Sequence, residues 1–378
     1  MAYPSVDELQ KTLTKDVFHY AKDSKKAAGR ALGTLVEIIA FYTFKSWNID
    51  PYISIETAIP EYMNEDITHN VEFSIHPAHK REKIVFKADS LPITSKKLCE
   101  KLDIDTFSPT NIKNNQLLSK NLIVRNACNI YKTKNGFVNA YLREEKNREY
   151  KIIVSHLHNH PFAIIECKRV GIEEGMRKGP QTIEKAKQGA YVARTISSLQ
   201  KIRLNDGSVG GIIQLPNGKF KIDDYNTILN EIIMSNEQEY LENFVLTIGV
   251  VSNHGNWFTS DNHNKELKVL AQSYDWLLFL TDVGLSEFIG DLIQKPKAKY
   301  QPIRDAFLNS YSGTKGKNQF TKVKMNLKAD IALQDYFSEN RKKIQSWYNI
   351  ITPKNKKINV LKKEIDILVK KDWGQLIK

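Results

Sequence analysis

Glu166, Cys167 and Lys168 stand at the end of the apolar run Phe162-Ala163-Ile164-Ile165, which has the composition of a buried strand. Side chains at positions i and i+2 of a strand point to the same side, so Glu166 and Lys168 would lie together and Cys167 would face the other way. A carboxylate can bind a divalent cation, and a neighbouring ammonium can orient a water or stabilise an anion. The alternative is an ordinary ion pair at the surface end of a strand.

The neighbouring elements would set the geometry of this pair. Residues 150–154 alternate like a strand, and Glu149 stands at the start of that strand. A helix is predicted over residues 181–201, after the pair. Gln188 and Tyr191 are three residues apart, which places both on one face of that helix. The predicted order is therefore a strand, the strand that carries the pair, and a long helix.

The chain is basic. It has 378 residues, with 56 Lys and Arg against 43 Asp and Glu, and a formal net charge of +13. An AT-rich genome explains the preference for Lys over Arg, but it does not explain the excess of basic over acidic residues. A polyanion, and nucleic acid in particular, is the expected partner.

Two basic loops that contain glycine could follow a phosphate backbone with little steric hindrance. They span residues 169–179 and 311–318, and the second is equally compatible with an ordinary connection. The candidate DNA-binding residues are Arg169, Arg177, Lys178, Lys315 and Lys317.

The compartment is expected to be reducing and cytoplasmic. Cys99, Cys128 and Cys167 are far apart in the sequence and form neither a disulfide framework nor a zinc quartet. No uninterrupted apolar run approaches the roughly 18 residues of a transmembrane helix. The N-terminal residues lack the basic segment and apolar core of a signal peptide.

Two helices are predicted at the N-terminus. Ser5 and Glu8 form a capping box at the start of a helix over residues 6–21, and residues 24–47 carry apolar side chains at helical spacing. Glu37 interrupts the densest apolar part of the second helix. Burying a lone carboxylate is costly unless it is paired or binds a metal, so Glu37 is either such a residue or one that faces water between apolar neighbours.

These patterns predict an α/β fold with a mixed central β-sheet flanked by helices and with helical additions at both termini. We expect N-terminal helices that pack on the core over residues 1–50, an insertion or recognition region over 51–135, a core over 136–290 and a mostly helical region over 291–378. The 51–135 region contains candidate strands but no recognisable chemistry.

Three alternate histidines, His156, His158 and His160, precede the apolar run. They could share a face and bind zinc. Since no further ligand is near them in the sequence, a polar turn between two strands is the favoured interpretation.

The strand Ile-Ile-Glu166-Cys-Lys168-Arg, followed by a helix containing Gln188-Gly-Ala-Tyr191, resembles the PD-(D/E)xK nuclease superfamily and looks most like a type II restriction endonuclease. The resemblance covers residues 145–205, with a looser match to the helix that carries Glu37. It implies a restriction-endonuclease-like core and a metal-dependent phosphodiesterase activity.

The resemblance also implies a set of metal ligands. Glu166 and an acidic residue on the preceding strand would bind one or two Mg²⁺ ions, together with the backbone carbonyl of Cys167 and with Glu37 from an earlier helix. The family's Pro-Asp dipeptide is absent. Glu149 is the best substitute for its acidic residue, and Glu145 is the second choice.

The predicted function is therefore sequence-specific, Mg²⁺-dependent cleavage of double-stranded DNA by a homodimer. Lys168 would position the attacking water and offset developing charge, while Gln188 and Tyr191 would orient the scissile region or the lysine. The alternatives are a repair or recombination nuclease that recognises DNA structure, and a DNA-binding protein without catalysis.

Overall fold

The computed structural model describes residues 6–19, 24–102, 109–171, 180–215, 217–254, 265–311 and 319–376. The helices, in chain order, are α1 (Val6–Asp16), α2 (Ser24–Lys45), α3 (Ser95–Lys101), α4 (Pro180–Thr195), α5 (Tyr225–Met234), α6 (Gln238–Leu241), α7 (Lys265–Ser273), α8 (Asp282–Ile289), α9 (Gln301–Tyr311), α10 (Leu327–Glu339), α11 (Arg341–Gln345), α12 (Ile358–Val369) and α13 (Trp373–Leu376). The strands are β1 (Ile53–Glu61), β2 (Asn64–Ile75), β3 (Ala78–Lys87), β4 (Ile93–Thr94), β5 (Gln116–Leu118), β6 (Ile123–Arg125), β7 (Cys128–Lys132), β8 (Gly136–Lys146), β9 (Glu149–His158), β10 (Ala163–Gly171), β11 (Gln200–Arg203), β12 (Val209–Gln214), β13 (Phe220–Asp224), β14 (Leu246–His254), β15 (Trp276–Leu280), β16 (Lys324–Asn326) and β17 (Tyr348–Thr352).

A six-stranded sheet with the strand order β1-β2-β10-β14-β15-β17 forms the centre of the protein. β1, β2 and β10 are antiparallel neighbours, β10, β14 and β15 are parallel, and β17 adds an antiparallel edge. The parallel pair β10 and β14 requires a long crossover connection, and α4 lies in that connection. The predicted α/β class with a mixed central sheet is confirmed.

Both faces of β10 are covered, and alternate residues serve opposite faces. Ala163, Ile165 and Cys167 belong to the main core, which also contains the apolar side of α2. Ile164 packs on the other face against Val192 of α4. The period of two that a strand imposes therefore turns Cys167 away from its two charged neighbours, as predicted.

Helix α2 packs under the central sheet, and Phe41 stacks on Phe73 of β2 with ring centroids 5.7 Å apart. The helix ends at Lys45, two residues before its predicted end. Its segment Ala27–Lys45 is long and apolar enough to cross a membrane by composition, but 67% of that window is buried inside the protein. This burial is that of a core helix.

Buried polar contacts fix α2 against the C-terminal helix α10. The ammonium group of Lys45 lies 3.0 Å from the carboxylate of Asp330, and the hydroxyl of Tyr42 donates to the same carboxylate at 2.5 Å. Asp330 and Lys45 are both buried. Since α2 also carries Glu37, these contacts hold that residue in position.

A second sheet, with the order β3-β9-β8-β7, lies in the segment between β2 and β10. The short strands β4, β5 and β6 of the same segment form a third sheet with β16, in the order β16-β6-β5-β4. The predicted domain boundaries stay a prediction, and the strand pairing crosses the one at residue 135. β1 and β2 belong to the central sheet together with β10, whereas β8 and β9 belong to the second sheet together with β3. Alternating side chains reveal a strand, but they do not reveal its partners.

The C-terminal region is mostly helical, as predicted, and it is also part of the central sheet. β17 pairs with β15, for example through Ile350 opposite Leu278. β16 pairs with β6 of the inserted segment. The end of the chain thus contacts both the core and the insertion.

Candidate active site

The candidate site lies where β2 and β10 separate. The next pair in their register would be Glu72 opposite Glu166, but the strands diverge there. The backbone N–H of Glu72 donates to the carboxylate of Glu166 at 3.2 Å instead of to the backbone. The strand pairing ends after Ala163↔Ile75, Ile164↔Ser74 and Ile165↔Phe73. The divergence places Glu72 and Glu166 next to each other at one point of the sheet.

Glu166 and Lys168 form the predicted pair on one side of β10. The Lys168 ammonium lies 2.9 Å from the Glu166 carboxylate, whose side chain is 3% exposed, while the Lys168 side chain is 29% exposed. Burial raises the pKa of Glu166, and the attraction to Lys168 opposes this effect without cancelling it. Lys168 therefore offsets only part of the cost of burying the ionised Glu166 carboxylate.

Helix α4 passes close to Lys168 because it has a glycine at the point of approach. A Cβ atom on Gly189 would lie 3.3 Å from Cε of Lys168 and 2.8 Å from the hydroxyl oxygen of Tyr274. A larger residue would displace the lysine stem or the buried tyrosine. The backbone of α4 can thus lie close to Lys168 because residue 189 has no side chain.

The predicted roles of Gln188 and Tyr191 stay predictions, and the structure gives the positions of both residues. Gln188 is exposed. Tyr191 is 51% exposed, and its hydroxyl lies 3.4 Å from the carboxylate of Glu61 at the tip of the β1–β2 hairpin. Tyr191 therefore lies beside the hairpin, and Gly189 of the same helix makes the approach to Lys168.

Glu37 of α2 lies close to the same point. Its carboxylate is 3.4 Å from the ammonium of Lys322, and its side chain is 30% exposed. Burial raises the pKa of Glu37, although Lys322 and Lys168 both act to lower it. Glu37 is thus a paired residue of the site, and its role as a metal ligand stays a prediction.

Lys322 is surrounded by carboxylates from three different elements. Its ammonium contacts the carboxylate of Glu72 directly and lies 3.2 Å from that of Glu56 and 3.4 Å from that of Glu37. The lysine is only 7% exposed. We call Glu37, Glu56, Glu72 and Glu166 the carboxylate cluster.

Glu56 adopts an uncommon backbone conformation in β1, with φ of 54°. The pairs Ile55↔Phe73 and Thr57↔Val71 continue on both sides, so Glu56 lies opposite Glu72. A left-handed conformation at a residue other than glycine costs on the order of 1–3 kcal/mol. This strain is concentrated at one member of the carboxylate cluster.

Glu149, predicted as the acid on the preceding strand, is in the wrong sheet. It begins β9, where it is exposed and lies opposite Lys87 of β3 and Lys146 of β8. Glu145 is likewise exposed on β8. β9 precedes β10 in the sequence, but its partners are β3 and β8. The acid on the strand that pairs with β10 is Glu72.

Arg169, predicted to contact DNA, is used inside the fold. Its guanidinium donates to the carbonyl of Gly29 in α2 and to Oε1 of Gln10 in α1, the latter at 3.3 Å. It therefore ties β10 to the two N-terminal helices. Arg177, Lys178, Lys315 and Lys317 lie outside the described residues.

Two further predictions concern ligands. The side chain of Cys167 is buried, and the role of its backbone carbonyl stays a prediction. His156 and His158 lie in β9 and not in a turn, and His156 contacts Glu82 at 3.1 Å. His160 lies in the bend that follows β9, and its backbone N–H donates to Nδ1 of His158 at 3.2 Å.

Sequence reasoning missed Glu56, Glu72, Gly189 and Lys322. Glu72 lies in Val71-Glu72-Phe73-Ser74-Ile75, a segment with a clear strand pattern, so a charged residue between apolar ones was the available signal. Glu56 likewise follows the apolar Ile55, and Gly189 stands inside a predicted helix, where a glycine is itself unusual. Lys322 carried no signal, since it is one lysine in a basic loop region.

Comparisons with models of protein families, with curated proteins and with solved structures found no match to this chain. The activity is therefore inferred from the chemistry of the site.

Proposed function

We propose that the protein is a Mg²⁺-dependent, sequence-specific endonuclease for double-stranded DNA, with a restriction-endonuclease-like core of the PD-(D/E)xK type. The observation that carries the proposal is the meeting of Glu72 and Glu166 where β2 and β10 diverge, with Lys168 2.9 Å from Glu166. An acid on the neighbouring strand, the Glu-x-Lys strand and a following helix are the parts that the resemblance expects. Glu72 takes the place first assigned to Glu149.

The donor set fits a magnesium ion. Mg²⁺ prefers oxygen ligands, keeps several waters and needs only one or two protein carboxylates. Glu72 and Glu166 would hold it, with Glu37 close by. The raised pKa values of Glu37 and Glu166 support this fit, because they mark carboxylates whose burial is not balanced by the lysines present. In the part of the chain that the structure describes, no group of three or more His, Cys, Asp or Glu residues is already arranged around an ion position.

Each residue of the pair has a distinct task. When bound, Mg²⁺ neutralises charge on the phosphodiester and lowers the pKa of a coordinated water. Lys168 is partly exposed, so its ammonium can reach solvent, orient the attacking water and offset the charge that develops on the phosphate. Glu166 holds that ammonium in place, and the backbone of Glu72 holds Glu166.

The other parts of the proposal rest on charge and symmetry. A net charge of +13 favours binding to the DNA backbone. A homodimer would match the two-fold symmetry of a palindromic site. The three free cysteines fit a reducing cytoplasmic compartment.

Incubation with a panel of DNAs and Mg²⁺ is expected to give discrete fragments on a gel. Lys168→Ala should slow cleavage about 100-fold, the usual effect of removing one positioned donor to a developing charge. Lys328→Ala, at an exposed lysine of α10, is the matched control and should cut like the wild-type protein.

Two other outcomes would replace the proposal. Selective cutting of branched or single strands, without discrete bands from linear duplex, indicates a structure-specific repair nuclease. Tight, salt-sensitive binding without cleavage in Mg²⁺ or Mn²⁺ indicates a non-catalytic DNA-binding protein.

Stabilisation by Mg²⁺ is expected to grow with pH. Burial raises the pKa of Glu37 and Glu166 above their ordinary value of 4.5, so protons compete with the cation near that pH. Without the cation, the folded protein binds more protons than the unfolded chain in this window, so these two groups make it less stable as the pH rises. As the pH rises, Glu37 and Glu166 ionise, and the two carboxylates then attract Mg²⁺ more strongly. Melting temperatures with and without saturating Mg²⁺, measured from pH 4.5 upward, should diverge, and a constant difference would contradict the assignment.

A further inference from the structure

Lys322 lies among three members of the carboxylate cluster. Its ammonium touches Glu72 and lies 3.2 Å from Glu56 and 3.4 Å from Glu37. At 9% exposure of its side chain, the lysine has exchanged most of its hydration for these carboxylates. Burying an ammonium is stable only with such partners.

A rigid turn presents Lys322 to the cluster. The backbone N–H of Thr321 donates to the carbonyl of Lys324 at 2.8 Å, and the backbone N–H of Lys324 returns a bond to the Thr321 hydroxyl at 2.9 Å. Phe320 and Met325, which flank the turn, are fully buried. The direction in which Lys322 leaves the backbone is therefore fixed.

The inserted segment holds the same turn from the other side. The side-chain amide of Asn126 donates to the carbonyl of Lys322 at 3.0 Å, and the backbone N–H of Asn126 donates to that of Val323 at 2.9 Å. These bonds hold the backbone of Lys322 and leave its four-carbon stem without a hydrogen bond of its own. Release of the ammonium would therefore take place by a change of rotamer and not by a movement of the backbone.

We propose that Lys322 is a tethered counter-ion that holds the carboxylate cluster together in the absence of metal and that a divalent cation displaces from Glu72. The inference rests on the cation site of the proposed function. A divalent cation bound to Glu72 would repel an ammonium held by the same carboxylate at short range, so binding of the cation and release of Lys322 are coupled.

Lys322→Met tests the coupling because it keeps an unbranched side chain, shorter by one atom, and removes its charge. Without divalent cations at neutral pH, the variant is expected to melt on the order of 5 °C lower than the wild-type protein, because the carboxylates lose a buried partner. Added Mg²⁺ or Mn²⁺ should raise its melting temperature more steeply, and at least tenfold less cation should give the half-maximal shift. Lys324→Met, at the exposed lysine two residues on, is the control and should respond like the wild type.

A second measurement uses the unmodified chain and does not depend on the folding of the variant. Acetylation by an N-hydroxysuccinimide ester, followed by peptide mass spectrometry, reports the accessibility of each amine. Lys322 should react slowly without cation and at least threefold faster with saturating Mg²⁺, relative to Lys324.

The outcomes separate this inference from the proposed nuclease. If DNA is cut but neither Lys322→Met nor acetylation responds to the cation, the counter-ion role is wrong and the nuclease stands. If both responses occur and no DNA is cut, the cation-coupled lysine stands and the nuclease fails. A wild-type protein whose melting temperature ignores every divalent cation would overturn the inference outright.

Discussion

Glu166→Gln is expected to lower Mg²⁺-dependent DNA cleavage by about four orders of magnitude and to leave the fold intact. The amide has the size of the carboxylate but no charge, so it loses the electrostatic attraction to the cation, an effect worth about 5 kcal/mol in the transition state. Single-turnover cleavage of a substrate identified in the panel measures the loss.

The same variant should remain folded and bind DNA in the absence of metal. Burial raises the pKa of Glu166, so the neutral side chain removes a desolvation cost, and the unpaired Lys168 is exposed enough to be hydrated. Its melting temperature and its DNA affinity in EDTA provide the control. Equal losses of folding, binding and cleavage would make Glu166 a structural residue, and cleavage within tenfold of the wild type would remove it from the site.

Glu72→Gln is expected to reduce cleavage by about three orders of magnitude, while Glu149→Gln should cut like the wild type. Glu72 lies at the divergence of β2 and β10 with its side chain 13% exposed, and it is the second acid of the proposed cation site. Glu149 is exposed in another sheet. Both variants carry the same chemical change in a strand, so a difference in cleavage between them reports the position of the carboxylate.

The pair of variants is best measured by cleavage and by cation-induced stabilisation together. Glu72→Gln should weaken both, because the same carboxylate serves both. If Glu149→Gln lost activity and Glu72→Gln cut normally, Glu149 would be the second acid of the cation site. The choice of Glu72 from the sheet pairing would then be wrong.

Local patterns were sufficient for the pair itself. The two-residue spacing of Glu166 and Lys168 fixes their common side in any strand, and the structure has them 2.9 Å apart. The helical period likewise placed α2 to within two residues of its end. Such features depend on neighbours in the sequence, so they can be predicted without knowing the fold.

Pairing between distant segments could not be predicted in the same way. β9 is the nearest strand before β10 in the sequence, which made Glu149 the natural second acid. The actual partner is β2, because the segment over residues 76–162 forms its own pairings before the chain returns to the central sheet. Strand partners depend on the packing of the whole sheet, and a strand pattern alone carries no record of them.

The position of Lys322 could not be predicted from the sequence either. Its position follows from the turn at Thr321 and Lys324 and from two bonds to Asn126, which is almost 200 residues earlier in the chain. In the sequence it is one of many lysines. Only the three-dimensional placement of the turn distinguishes it.

The strands of the central sheet are far apart in the sequence, and this separation has a consequence for the synthesis of the protein. The carboxylate cluster takes residues from positions as far apart as Glu37 and Glu166, and β10 depends on β14 as its parallel neighbour. Contacts of such long range form late, after the intervening chain is available. At about 5–20 residues per second, a ribosome needs on the order of 10 s to extend the chain from Glu166 to Lys322. We therefore expect a nascent or prematurely terminated chain that lacks β14 not to assemble the carboxylate cluster, so any chemistry of this site would begin only after β14 has paired with β10.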